Sequence, residues 1–288
     1  MSPSPAFYPV PAERSRRAAE RSRPTPFFAG SPWVWWVAVL LFDLGALVLL
    51  ASHRPFAALV IFVVPMPWLL PPLVVPSAVG FGPVVTHFST GRREVWLTID
   101  DGPDPVTTPP VLALLDAHQA RATFFLIGAK AARHPELVAE ILHRGHAVGN
   151  HTERHPCLSF WFASPRRAAA EIDRCTEALR RAGAGTPRWF RPPVGIKNPF
   201  LHRLLAARGL DLVMWSARGY DCVRRPAAAL ARITRDLRPG AIILVHETSR
   251  AGSPRLVLLT QLLDRLAQEG YACVIPPAES LHSGRTAA

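Results

Sequence analysis

The sequence predicts an α/β domain with a largely parallel sheet of about seven strands, preceded by one or two N-terminal transmembrane helices. From about residue 94, short apolar runs alternate with helical patterns, which is typical of βα units. Upstream lie two long apolar stretches, at residues 33–51 and 56–75. These observations divide the chain into a basic N-terminus (1–30), a membrane anchor (31–76), a linker (77–93) and the α/β domain (94–280).

The first apolar stretch is long enough to cross a bilayer. Residues 1–30 before it are rich in Pro, Ser and Arg, which predicts disorder. Residues 33–51 would span about 28 Å as a helix. Asp43 opposes insertion by roughly 2.5–3.5 kcal/mol, but eleven Leu, Val and Phe residues each return about 0.3–0.6 kcal/mol, so insertion is favoured. The run is too long for a cleavable signal, and no clear small-residue cleavage site follows it. A group of tryptophans at its start fits an interfacial belt: Trp33, Trp35 and Trp36.

Prolines interrupt the second apolar stretch, residues 56–75, which carries no charge. Membrane helices tolerate proline where neighbours satisfy the freed carbonyl groups. We therefore predict a second span, with a broken re-entrant or interfacial segment as the alternative. The prolines concerned are Pro65, Pro67, Pro71 and Pro72.

The arginine-rich N-terminus indicates a cytoplasmic start under the positive-inside rule. Two spans would return the α/β domain to the cytoplasmic face of a bacterial inner membrane, whereas one span would place it outside. Because two spans are favoured, the cytoplasmic face is favoured as well.

The net charge of +12 comes almost entirely from arginine, since only Lys130 and Lys197 are lysines. The arginines are scattered, and no basic run is interleaved with aromatic residues, so we predict no nucleic-acid partner. The cysteines form no CxxC pair, which argues against a zinc ribbon or a redox pair. Free thiols favour a reducing compartment. The four cysteines are Cys157, Cys175, Cys222 and Cys273.

Each predicted strand is a short apolar run. The runs are EVWLTI (94–99), ATFFLIG (122–128), HAVGN (146–150), RWF (188–190), DLVMW (211–215), AIILV (241–245) and YACVI (271–275). Helices are predicted between them at 135–144, 164–182, 199–208, 226–237 and 254–269. Ser164 and Pro165 fit an N-cap followed by a proline at the first helical position. Strands in this number could close into a barrel, whose sites form on the loops that follow the strand carboxyl ends.

Titratable residues follow several of these strands directly. The first strand ends in the adjacent acids Asp100 and Asp101, and the third runs into NHTERHP. If that turn is helical, His151 and His155 share one face. Two imidazoles and one carboxylate make a metal site with open positions that suits one divalent ion, Zn²⁺ in the first place, with Co²⁺ or Ni²⁺ as alternatives. The alternative interpretation is two exposed loop histidines.

Taken together, these stretches resemble the polysaccharide deacetylases, the NodB-homology enzymes of carbohydrate esterase family 4. The resemblance covers roughly residues 94–276. TIDDGP resembles the family's first motif, GNHTERHP its metal-binding second motif and ILVHE its fifth. FRPPVG is similar to the third motif and WSARGYDC to a divergent fourth. The membrane segments lie outside the resemblance.

The resemblance implies a distorted (β/α) barrel and metal-dependent hydrolysis of an N-acetyl group on an amino sugar. It makes Asp100 the general base and His246 the general acid. The implied metal ligands are Asp101, His151 and His155. Arg191 would hold Asp100, and Asp221 would orient His246. Substrate contacts would come from Pro193, Trp215 and Leu244.

Two departures concern the substrate groove. The family's third motif often has Tyr where this chain has Val194, and because the oxyanion donor there is a backbone N–H, the loss is tolerable. The fourth motif often ends in Asp-Trp, but here it is Asp221-Cys222, so the groove lacks one aromatic wall. A core-packing role is the alternative for Trp215 and for Leu244.

The leading hypothesis is a membrane-anchored, metal-dependent N-deacetylase, a hydrolase of carbon–nitrogen bonds other than peptide bonds. Its partners would be the membrane and an amino-sugar glycan or a lipid-linked saccharide. One alternative is an N-deformylase of a lipid-linked amino sugar. The other is a non-catalytic, membrane-anchored protein that binds glycan.

Overall fold

The computed structural model describes residues 32–247 and 254–283. Its centre is a parallel sheet with the strand order β6-β5-β4-β3-β2-β8-β7, with β9 pairing beside the start of β2. The sheet strands are β2 (Glu94–Asp100), β3 (Ala122–Leu126), β4 (Ala147–Asn150), β5 (Trp189–Phe190), β6 (Asp211–Leu212), β7 (Ala217–Arg218), β8 (Ile242–His246) and β9 (Ala272–Cys273). The predicted fold class is confirmed, with a half-barrel in which β6 and β7 are the two edges.

Helices cover the outside of the curled sheet. The helices of the α/β domain are α5 (Thr108–Ala117), α6 (Gly128–Arg133), α7 (Pro135–His143), α8 (Pro165–Arg181), α9 (Leu201–Ala206), α10 (Pro226–Arg235) and α11 (Pro254–Gln268). One core lies between the sheet and these helices, with Ile99, Phe124 and Leu262 among its members. A second core fills the inside of the curl and contains Trp96 and Phe190. Burial on both faces explains why the central strands are continuous apolar runs.

Several elements differ from the sequence-based prediction. The expected strand DLVMW contains only β6, because the chain leaves the ladder at Val213 and re-enters it as a separate edge strand, β7. Helices α5 and α6 were not predicted. Of residues 127–128, both expected in a strand, Ile127 follows the end of β3 and Gly128 begins α6. A two-stranded antiparallel ribbon of β1 (Val85–Phe88) and β10 (Leu281–Ser283) was also missed, since both strands are short.

The two apolar stretches near the N-terminus form a helical hairpin. Helix α1 (Pro32–Ala51) is followed by α2 (Pro55–Val63), α3 (Met66–Leu69) and α4 (Pro71–Val74). Prolines separate the last three helices, because a proline has no N–H for the helical ladder and its ring opposes a continuing turn. The Trp35 indole donates to the Leu69 carbonyl over 3.0 Å, so the start of α1 lies beside the end of the returning arm.

Both arms of the hairpin are long and apolar enough to cross a membrane. The candidate spans are Trp33–Ala51, in which 6% of the residues are buried, and Pro55–Val74, in which 28% are buried. Such exposed apolar helices are compatible with a membrane anchor or with a signal sequence.

Candidate active site

The strand register brings the predicted site residues to one edge of the sheet. Asp100 pairs with His246 across β2 and β8, and Asn150 pairs with Phe190 across β4 and β5. Parallel strands in register end together, so the residues that follow them meet at the carboxyl edge. The His151 N–H donates to the Leu126 carbonyl over 3.0 Å, which ties the second motif to the end of β3.

A three-residue cluster at this edge has the spacing of metal ligands. The Asp101 Oδ1 atom lies 3.6 Å from His151 Nε2 and 3.4 Å from His155 Nε2. All three ligand atoms lie within 4.8 Å of one another. Ligand atoms about 2.0–2.2 Å from a tetrahedral ion are roughly 3.3–3.6 Å apart, so the cluster fits a divalent ion.

The hydrogen bonds around the cluster leave the ligand atoms free. His151 Nδ1 lies 2.8 Å from the Arg191 carbonyl oxygen, to which it donates, so its Nε2 keeps a lone pair. The Asp101 Oδ1 atom is buried and has no hydrogen-bond partner among the described residues. A buried carboxylate oxygen without a donor is costly, and a cation would satisfy it.

The charge states in the cluster also suit a metal. Burial raises the pKa of Asp101, but the neighbouring His151, with further charge from His246 and His155, lowers it well below its usual range. Burial and the neighbouring His151 lower the pKa of His155 to about 4. The carboxylate is therefore ionised and the His155 imidazole neutral at pH 7, which are the forms that bind metals.

Asp100 lies beside the cluster and is held by a buried arginine. Arg191 Nη1 donates to Asp100 Oδ1 over 2.7 Å, and Asp100 Oδ2 lies 3.7 Å from His151 Nε2. Arg191 also donates to Thr98 Oγ1 and to the backbone carbonyls of Val213 and Met214. With one oxygen fixed by this network, Asp100 presents its other oxygen to the site.

His246 forms a second polar pair with Asp221. His246 Nδ1 lies 2.8 Å from Asp221 Oδ1, and its backbone N–H donates to Oδ2 over 2.8 Å. Burial lowers the pKa of His246, but its hydrogen bonds to Asp221 and Cys222 and the charge of Asp221 raise it to about 10. The imidazole is therefore protonated at pH 7, so it carries an N–H at Nε2 as well as the Nδ1–H that it donates to Asp221.

Asp221, Cys222 and His246 are also close enough to hold a metal. Both oxygens of Asp221 already accept hydrogen bonds from His246, however. The Asp101 cluster, with its unpaired carboxylate oxygen, is the better metal site.

The predicted substrate residues are buried in the inner part of the site. Leu244 is 1% exposed within β8, opposite Thr98, and Trp215 is 8% exposed. A Cβ atom on Gly195 would lie 2.2 Å from the Trp215 ring, so this close approach requires a glycine. Pro193 is buried at the start of a 3₁₀ turn, while Val194 beside it is 45% exposed with φ of 51°.

Strained backbone is concentrated in the loops of this site. Non-glycine residues with positive φ cost free energy and gather at functional sites. In these loops they are Asp101 (77°), Thr152 (67°), His155 (53°), Val194 (51°) and Tyr220 (58°).

Three further residues, to which the sequence motifs assigned no role, lie next to the site. Lys130 Nζ donates to the Asp101 carbonyl over 2.7 Å, and Cys157 Sγ lies 3.1 Å from His155 Nδ1. Glu247 accepts from Thr108, and burial raises the pKa of its carboxyl to about 8. Only the rarity of lysine in this arginine-rich chain could have drawn attention to Lys130.

Comparison with known proteins gives a consistent result. Residues 88–213 match the family model for polysaccharide deacetylase. The chain is 35% identical over 206 residues to a chitooligosaccharide deacetylase of Bradyrhizobium, covering 67% of this chain and 92% of the relative. It is 31% identical over 196 residues to a peptidoglycan-N-acetylglucosamine deacetylase of Bacillus cereus, covering 67% of this chain and 91% of the relative.

Solved structures show the same likeness. A family 4 carbohydrate esterase from Streptomyces lividans, in complex with acetate, has a TM-score of 0.60 and 30% identity, covering 69% of this chain and all of that one. A pseudoenzyme of the same family from Bacillus anthracis has a TM-score of 0.60 and 25% identity, covering 67% of this chain and 68% of that one.

Proposed function

The chain belongs to the polysaccharide deacetylase family, and on that premise we propose that it is a metal-dependent hydrolase that removes the N-acetyl group of an amino sugar. The observation that carries the proposal is the cluster of Asp101, His151 and His155 beside the Asp100–Arg191 pair. An N-acetylated amino sugar can occur in a glycan or in a lipid-linked saccharide, so both are candidate substrates.

The three clustered residues would hold the ion, and Zn²⁺ suits two imidazoles and one carboxylate, with Co²⁺ or Ni²⁺ as alternatives. A divalent ion held there would supply Lewis acidity to the amide carbonyl and to the attacking water. Lys130 donates to the Asp101 carbonyl, and the Arg191 carbonyl accepts from His151 Nδ1. Such supporting hydrogen bonds fix ligand orientation.

Asp100 is the general base in this proposal. Its Oδ2 points toward the cluster, while Arg191 holds Oδ1 and keeps the side chain oriented. A base within hydrogen-bond reach of the attacking water accepts its proton as the carbon–oxygen bond forms.

His246 is the general acid. An amine is a poor leaving group until it is protonated, and the Nε2–H of His246 can supply that proton as the carbon–nitrogen bond breaks. Asp221 stabilises the imidazolium and fixes its ring by binding Nδ1. The products are acetate and a free amino sugar.

We further propose that the hairpin α1–α4 anchors the enzyme in the cytoplasmic membrane, with the α/β domain at the cytoplasmic face. Support comes from the two apolar candidate spans and the arginine-rich residues 1–30.

Acetate release from an N-acetylglucosamine oligosaccharide tests the proposed reaction. Purified protein with Zn²⁺ should release acetate, a chelator should abolish the release, and added metal should restore it. The inactive control is Asp101→Ala. Acetate release that is insensitive to chelator, or undiminished in Asp101→Ala, would contradict the proposal.

The existence of a pseudoenzyme with this fold makes the non-catalytic alternative worth testing. In the present chain the proposed base, acid and ligands are all in place and mutually oriented. Metal binding without acetate release across a panel of N-acetylated sugars would favour a binding protein instead.

A further inference from the structure

The base of the hairpin packs against the loops that carry the active site. A small apolar cluster joins Trp35, Leu69 and Leu73 of the hairpin to Phe81, with Trp161 and Ile196 packed against it. Trp161 follows the His155 loop, and Ile196 follows the Pro193–Gly195 turn. The hairpin therefore meets the domain at its carboxyl edge.

A buried lysine reinforces this contact. The Lys197 ammonium donates to the carbonyls of Val75 and Ala78, just after α4, and its backbone N–H donates to the Leu73 carbonyl over 2.9 Å. Trp33 also meets Phe200 edge to face, with ring centroids 5.0 Å apart. These bonds fix the active-site loops next to the end of the hairpin.

Most of the exposed large apolar residues of the domain lie on loops at this carboxyl edge. We call five of them the rim: Val106, Leu158, Phe162, Val194 and Val223. Each lies on a loop that follows a strand carboxyl end and carries a proposed site residue. Leu158 is 87% exposed and Val223 is 84% exposed. Two other large apolar side chains are exposed among the described residues after 76. They are Tyr220, on one of these loops, and Val257, on α11.

Single exposed apolar residues are ordinary, but a group gathered around one opening indicates a contact surface. The apolar hairpin meets the domain at this edge, so a bilayer that holds the hairpin would lie against the rim. Loops with isolated apolar tips at an interface bury them at the headgroup level.

An arginine-lined cleft lies beside the same junction. It has a volume of about 270 Å³, and its lining includes Pro76 and Ser77, directly after α4. Arg218, Arg232 and Arg238 line it as well, together with the single acid Asp236, which is also paired with Arg235.

The arginines of the cleft are held by an aromatic ring. The guanidinium groups of Arg218 and Arg232 lie 4.5 and 5.0 Å from the centre of the Tyr220 ring, and their buried Nε atoms have no hydrogen-bond partner among the described residues. Guanidinium groups suit phosphate oxygens, so three arginines around one cleft favour an anionic ligand. Trp215, a predicted substrate contact, and Tyr220, which directly precedes Asp221 in the chain, also line the cleft.

We propose that the substrate is an amino sugar joined through phosphate to a membrane lipid. The sugar enters the active site, the arginine cleft receives the phosphate, and the lipid stays in the bilayer beside the rim. This inference rests on the proposed deacetylase function and names its substrate class.

Three substrates with the same N-acetylglucosamine group separate the parts of this proposal. They are a phosphate-linked polyprenyl lipid, a phosphate-free long-chain alkyl glycoside and a soluble chitooligosaccharide. Full-length protein in lipid nanodiscs with Zn²⁺ is assayed for acetate release. We expect kcat/KM to be highest for the phosphate-linked lipid and lowest for the soluble sugar, with a difference on the order of 100-fold from confinement to one surface.

Amino-acid substitutions test whether the rim and the arginine cleft cause this preference for lipid substrates. The double change Leu158→Ser and Phe162→Ser should lower kcat/KM for both lipid substrates by about tenfold, since it removes apolar contact with the bilayer. Arg232→Gln should lower it by about tenfold for the phosphate-linked lipid alone. The matched controls Val257→Ser and Arg181→Gln, at exposed positions outside both surfaces, should leave the three values unchanged.

The outcomes are distinguishable. Equal rates on the three substrates, or preference for the soluble sugar, would overturn the inference and leave the deacetylase function standing. If Arg232→Gln slowed both lipid substrates alike, the cleft would bind a bilayer headgroup, and its assignment to the substrate would be wrong. Absence of acetate release from all three would overturn the proposed function, and the inference with it.

Discussion

Arg191 is a fully buried arginine whose guanidinium meets Asp100, Thr98 and two backbone carbonyls. The guanidinium carbon Cζ also lies 4.1 Å from the centre of the Phe125 ring. Burying a charge is unfavourable unless its donors are satisfied, and here the guanidinium donates four hydrogen bonds. This network holds the Asp100 side chain in one orientation at a position where the residue is only 2% exposed.

Arg191→Met should destabilise the fold as well as abolish activity. Removing one partner of a buried pair leaves the other charge uncompensated and costs roughly 3–5 kcal/mol. We expect a clearly lower thermal midpoint in detergent. Arg188→Met is the control, because Arg188 and Asp211 form a largely exposed pair worth about 0–1 kcal/mol. Equal losses in the two variants would contradict the role given to the Arg191 network.

The Asp221–His246 pair predicts a pH dependence. His246 must be protonated to act as an acid, so activity is lost as the pH rises through its pKa. Asp221 helps to raise that pKa to about 10, and a divalent ion nearby would oppose this effect. In Asp221→Asn the alkaline limb of kcat/KM should move to lower pH by roughly one unit or more. A pH–rate profile checks this, and an unmoved alkaline limb would contradict the assignment of His246 as the acid.

At the residue scale, the sequence could identify the groups that stand next to strand ends in recognisable motifs. It located Asp101, His151 and His155 because their chemistry and spacing belong to a known pattern. It could not locate Lys130 or Cys157, because each acts through one contact that exists only after folding. Leu244 and Trp215 remain predictions as substrate contacts, since burial in the inner core is equally expected of apolar side chains there.

At the scale of elements, apolar runs were sufficient to find the central strands β2, β3, β4 and β8. These strands are buried on both faces, so their composition is dictated by the core. The edge strands β6 and β7 have only two residues each, and such short pairings are set by neighbouring strands rather than by local sequence. For the same reason the ribbon of β1 and β10 left no sequence signal.

The hairpin arm that returns to the domain ends in a contact with Lys197. Lys197→Met should leave the carbonyls of Val75 and Ala78 without their buried donor, at a cost of about 1–3 kcal/mol. We expect a lower thermal midpoint and faster proteolytic cleavage at residues 75–84. Arg203→Met, at an exposed position of α9, is the control. Unchanged cleavage in Lys197→Met would show that the lysine does not hold the junction.

For the whole molecule, a hairpin of two spans places the N-terminus and the α/β domain on one side of the membrane. Arginine-rich residues 1–30 favour the cytoplasmic side. Epitope tags at the two ends of the chain should both resist protease in spheroplasts and both be cleaved after lysis. Cleavage of only one tag before lysis would indicate a single span, and cleavage of both would place the domain outside.

In the proposed reaction the adjacent acids Asp100 and Asp101 have separate tasks. The direct test measures bound metal and acetate release together in Asp100→Asn and Asp101→Asn. We predict that Asp101→Asn loses metal. The Asp101 Oδ1 atom lies 3.6 Å from His151 Nε2 and 3.4 Å from His155 Nε2, which is the spacing of ligands around one ion. Asp100→Asn should keep its metal and lose acetate release by roughly 10²–10⁴-fold, the contribution of a general base. Equal loss of metal from the two variants would contradict this division of roles.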